Sequence, residues 1–177
     1  MEDNHLLVVM PRETGDKENP RLAAVLKRAL AQVESHLIYN AEEAETYFLS
    51  HPVASGAAFA RVLFVVDLGS DGINFELGRL LRVLRRQPHL LEGWLGGVIV
   101  DAQSELYTKS VAQELVLAAN MSGCAFVGRS LVEGTGSLRN FTVAAHKLGN
   151  DDLMAAYVEA ACHLVTAVMA FEGHRYS

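Results

Sequence analysis

Three polar segments hold the residues with chemistry to offer. The first, PRETGDKENP (residues 11–20), gathers Arg12, Thr14, Gly15, Lys17 and Asn19 between an apolar run and an amphipathic pattern that opens at Pro20. A strand that passes through a glycine-containing loop into a helix is how α/β proteins build phosphate sites. Backbone N–H groups, hydroxyls and the positive end of the helix dipole do the work there. Glu13, Asp16 and Glu18 share the loop, and each would repel a dianion unless it points away. The stretch therefore reads as a phosphate cradle or as a solvated turn. The second segment, DLGSDGIN (67–74), supplies Gly69, Ser70 and Gly72. Glycines let the backbone approach a flat ring closely, and a hydroxyl can donate a hydrogen bond. The plain alternative is a polar lead-in to a helix capped by Ser70 or Asp71. The third, DAQSELYTK (101–109), offers Gln103, Ser104 and Tyr107. An amide both donates and accepts, and a phenol ring stacks. Here the alternative is that Ser104 merely caps the next helix.

The elements that must position these loops alternate along the chain. Strand-like apolar runs fall at 5–10, 36–39, 61–67, 94–101 and 124–128. Between and after them, helical patterns cover 19–36, 41–50, 72–86, 105–123, 138–148 and 151–171. Asn19 is the expected cap of the first helix, with Pro20 in its first turn. Asp151 and Asp152 open the last. Strands 61–67 and 94–101 are continuously apolar, as strands covered on both faces are. Strand and helix alternate about five times, which predicts an α/β fold. Its five-stranded parallel sheet lies in a three-layer α/β/α sandwich, a single domain over residues 1–177. Ligands of such sheets bind at the carboxyl ends of the strands, where strand order reverses. The three segments follow strands one, three and four, which are neighbours in the order usual at this size.

Composition narrows the classes. Half of the 177 residues are apolar and the net charge is −6. That balance argues against nucleic-acid or anionic-membrane binding, both of which want a basic surface. Cys124 and Cys162, the only two cysteines, lie in apolar surroundings and read as buried thiols of a cytoplasmic protein. The N-terminal MEDNHLL lacks a basic signal-peptide region, and the apolar run AACHLVTAVMAF is too short for a span. The seven histidines form no HxxxH or HExxH, and neither GxSxG nor GxxxxGK[ST] occurs, so metal-site, hydrolase and P-loop readings fall away. Arg79, Arg82 and Arg86 share one side of a helix and read as a solvated face, or as a seat for a dinucleotide's extra phosphate or an acidic partner. EGTGSLRN (133–140) reads as a loop that reaches a second ligand or subunit, or as a plain loop with Ser137 as a helix cap.

MPRETGDKENP, LEGWLGGVIVD and ANMSGCAFVG together resemble segments of the flavodoxin-like NADPH-dependent FMN reductase and iron–sulfur-flavoprotein group. Pro11, Arg12 and Gly15 match the group's GSPRxxGNT opening, whereas Asp16 replaces its usual Asn and Lys17 its usual hydroxyl. The group's PxY after the third strand is replaced by DLGSDGIN, and its cluster-binding cysteines are missing. The resemblance implies a flavodoxin-like sandwich, FMN as cofactor and NAD(P)H as electron donor. The cofactor would lie against Arg12, Thr14, Gly15, Lys17, Asn19, Gly69, Ser70, Gly72, Gln103, Ser104 and Tyr107. Gln103 would meet the flavin's imide edge and Tyr107 would stack. The flavin carries the reaction in such proteins, so no side chain is assigned as catalytic. The resemblance also implies a homodimer, for which the broad apolar face of 151–171 is available. The acidic first loop and the lost PxY point to a rival: a module of this fold that has lost flavin and binds or assembles instead. Binding another phosphorylated small molecule is the third reading.

Overall fold

The structure is a computed structural model that describes residues 5–13, 15, 17–69, 74–103, 107–149 and 151–172. Five strands, β1 (His5–Val9), β2 (Glu34–Ile38), β3 (Ala60–Asp67), β4 (Trp94–Ala102) and β5 (Ala125–Thr135), form one parallel sheet in the order β2-β1-β3-β4-β5. The crossover helices are α1 (Pro20–Ala29), α2 (Ala41–Ser50), α3 (Phe75–Arg86) and α4 (Thr108–Met121). A 3-10 turn (Arg139–Phe141), α5 (Thr142–Lys147) and α6 (Leu153–Ala170) follow β5.

Side-chain alternation along the strands divides the core into two layers. Leu7, Val9, Val62, Phe64, Val66, Val98 and Val100 point to one face, where α2, α3 and α4 pack. Leu6, Val8, Leu63, Val65, Leu95 and Ile99 point to the other, under α1, α5 and α6. Gly97 lets α6 lie close to the sheet, since a Cβ there would sit 3.1 Å from Val168 and 3.2 Å from Leu164. α6 is also long and apolar enough to cross a membrane by length and composition, with a mean hydropathy of 1.6. In this fold its Ala161, Leu164, Val165 and Val168 are buried in the second layer.

The fold departs from the sequence reading in four places. The first helix stops at Ala29, not 36, because Glu34–His36 pair with His5–Leu7 and extend β2. An open sheet edge outweighs a weak helical pattern. β5 runs on to Thr135 through a register shift opposite Gly96–Val98, so Glu133–Thr135 are strand, not loop. Ser137 caps no helix; Leu138, in the left-handed conformation (φ 61°), precedes the 3-10 turn. The cap of α3 is Asn74, whose side chain accepts from Leu77 N–H, while Ser70 and Asp71 lie outside the described residues. The expected Asn19 cap on α1 holds, with Pro20 at its start, and Asp152, one of the two aspartates expected to open the last helix, caps α6. Of the thiols, Cys124 is buried and Cys162 only half-buried. Arg79, Arg82 and Arg86 are solvent-exposed, and Arg79 pairs with Glu76.

Candidate functional site

β1, β3 and β4 end side by side, so the segments after them converge at the point where strand order reverses. Backbone and amide bonds tie the segments together. Gln103 N–H donates to Gly69 O (3.2 Å), and Leu68 N–H to Asp101 O (2.9 Å). Asn74 Nδ2 donates to Pro11 O (2.9 Å) and to Asp67 O (3.1 Å), joining the first segment to the end of β3. The crevice they enclose holds about 570 Å³, within the range of roughly 300–1,000 Å³ of small-molecule sites.

Five of the expected site residues meet there: Arg12, Lys17, Asn19, Gly69 and Gln103. Gly15 is in the left-handed conformation (φ 97°) and does not line the crevice. Tyr107 is exposed beside the start of α4, outside the lining. Thr14, Ser70, Gly72 and Ser104 lie outside the described residues.

The structure adds a residue that the sequence reading passed over. Phe75, the first residue of α3, is 66% exposed and lines the crevice with Asn74 and Gly69. Its signal was an aromatic directly after a capping Asn, at a position where a core-facing stripe has no use for it. Beside it, Met10 and Leu68 give the crevice an apolar floor.

Below the crevice is a buried charged cluster, also unread in the sequence. Asp101 is fully buried at the end of β4. Arg21, in the first turn of α1, grips it with two bonds, Nη2 to Oδ1 (2.6 Å) and Nε to Oδ2 (3.1 Å). The same guanidinium donates to Gly136 O (2.6 Å) and Ala102 O (3.2 Å). Asn19 Nδ2 bridges Asp101 Oδ1 (3.0 Å) and Asp67 Oδ1 (3.2 Å). Gly134 makes room for this cluster: a Cβ there would lie 2.6 Å from Asp101 Oδ2 and 2.7 Å from the Tyr157 ring. The buried Tyr157 hydroxyl lies near the Asp101 carboxylate. Burial, and then the Asp101 charge, push its ionisation well above the ordinary phenol range.

The fold is flavodoxin-like. Solved structures similar to the chain include oxidised flavodoxin 2 from Bacillus cereus, with TM-score 0.59 and 12% identity over 92% of this chain and 99% of that one. The apo form of an NADH:FMN oxidoreductase has TM-score 0.59 and 14% identity over 98% and 94%. An NAD(P)H:quinone oxidoreductase from Methanothermobacter marburgensis has TM-score 0.53 and 11% identity over 96% and 99%. The fold is thus shared by flavodoxins and by oxidoreductases. No family model and no curated protein matches the sequence.

Proposed function

We propose that the chain binds a flavin in this crevice and serves as an NAD(P)H-dependent oxidoreductase of the FMN reductase type. The observation that carries the reading is Phe75, an exposed aromatic at the mouth of a crevice floored by Met10 and Leu68. A flat ring laid there would stack on Phe75, pass close to the Gly69 backbone and meet the Gln103 amide. The ring end of a flavin fits these residues. When bound, a flavin supplies hydride acceptance and release. The chain's own residues bind and orient it and exclude water from its buried face. α6 leaves a hollow of about 630 Å³ against α1, lined by Ala29, Val33, Val158, Cys162 and Met169. This apolar face is where a homodimer would form, and light scattering at twice the chain mass is the expected result.

One observation favours the rival, a flavin-free binding or assembly module. Glu13, Glu18 and Asp67 line the crevice against only Arg12 and Lys17. The test is a titration with lumiflavin, which carries the ring alone, and with FMN, followed by flavin fluorescence. Saturable quenching that Phe75→Ala weakens supports the flavin reading. No quenching by either at tens of micromolar, an affinity of roughly −6 kcal/mol or weaker, refutes it and leaves the rival.

A further inference from the structure

The first turn of α1 has no donor to give a phosphate. Pro20 has no N–H. Asn19 Oδ1 accepts from Arg21 N–H (3.1 Å) and Leu22 N–H (3.2 Å), and Ala23 N–H bonds Asn19 O (2.9 Å). The cation in that turn, Arg21, is already directed inward onto Asp101, Gly136 O and Ala102 O. Arg12 stacks its guanidinium over Tyr39 at 5.3 Å. Lys17 stands in the same lining as Glu13, Glu18 and Asp67. The first-turn donors of α1, and the Arg21 cation beside them, are therefore taken up by the chain's own groups.

Asp67 supplies the opposite chemistry. One of its oxygens accepts from Asn19 Nδ2 (3.2 Å) and Gly69 N–H (3.1 Å). Its other oxygen accepts no hydrogen bond among the described residues, and the residue lines the crevice. A carboxylate oxygen in that position suits a hydroxyl that donates to it, and repels a phosphate.

We infer that the crevice selects a neutral flavin carrying a polyol chain, riboflavin, over its phosphorylated form FMN, with Asp67 as the discriminating residue. The inference rests on the flavin reading above and narrows its ligand class. The experiment is a parallel fluorescence titration of the full chain with riboflavin and FMN, at low and at 0.5 M salt, repeated on Asp67→Asn. That substitution keeps an oxygen for Asn19 and Gly69 while removing the charge, and circular dichroism checks the fold. The expected result is riboflavin binding at least tenfold tighter than FMN at low salt. The gap should shrink severalfold in high salt and in Asp67→Asn, mainly through tighter FMN binding. FMN binding as tightly as riboflavin, or more tightly, overturns the inference and leaves the flavin reading standing. A preference for riboflavin that Asp67→Asn leaves unchanged overturns the role of Asp67. Absence of binding by both overturns the flavin reading and the inference together.

Discussion

Replacing Arg21 by Met would strand a buried carboxylate. The side chain of Asp101 is 0% exposed and that of Arg21 23%. The substitution removes both bonds from the guanidinium to Asp101 and, among the described residues, leaves its side chain the Asn19 amide. Breaking a buried pair from one side costs about 3–5 kcal/mol. Arg21 is a quarter exposed, so water reaches part of the vacated space, and the lower end, about 3 kcal/mol, is expected. For a domain of this size that corresponds to a fall in Tm of roughly 6–12 °C. The assay is urea unfolding at pH 7 followed by tryptophan fluorescence, since Trp94 is buried and reports loss of the core. The control is Arg21→Met with Asp101→Leu, which removes both charges and should recover most of the loss, because the penalty comes from the stranded carboxylate. A single variant within about 0.5 kcal/mol of wild type would refute the reasoning. So would a double variant no more stable than the single one.

Gly134→Ala should destabilise by about 1–3 kcal/mol, because its Cβ would fall 2.6 Å from Asp101 Oδ2 and 2.7 Å from the Tyr157 ring; calorimetry reads this directly. Tyr157→Phe removes a buried hydroxyl that has no hydrogen-bond partner among the described residues, so stability at pH 7 should hold or rise, and a loss above about 1 kcal/mol would show that the hydroxyl bonds the nearby Asp101 carboxylate. Ionisation of Tyr157 is held above its unfolded value by burial and by Asp101. Its contribution to stability is therefore full below about pH 10, where the unfolded phenol starts to ionise, and falls as pH rises further. Urea midpoints across pH 8–11 should decline less steeply in Tyr157→Phe than in wild type. Phe75→Ala, at an exposed position, should leave stability within about 0.5 kcal/mol while weakening flavin quenching; a large stability loss would mark Phe75 as structural instead.

The sequence by itself determined the layered α/β architecture, because its signals are local. Continuous apolar runs such as 61–67 and 94–101 can be buried only as central strands. Asn19, Pro20 and Asp152 mark helix starts through bonds that reach no further than three residues. The convergence of the segments after β1, β3 and β4 follows from that architecture, which is why Arg12, Lys17, Asn19, Gly69 and Gln103 could be gathered from the sequence. Tertiary structure decided the rest. Residues 34–36 left a helical pattern because β1 offered an edge, and β5 outran its apolar core because β4 continued beside it. The partners Arg21 and Asp101 are 80 residues apart, and no local rule pairs a helix arginine with a strand-end aspartate. Whether the cation at the start of α1 faces the crevice was equally beyond the sequence. The loop has the composition of a cradle and the Asn19 cap is local, but the Asn19 bridge to Asp67 and Asp101 and the inward turn of Arg21 exist only once α1 has docked over the ends of β3 and β4.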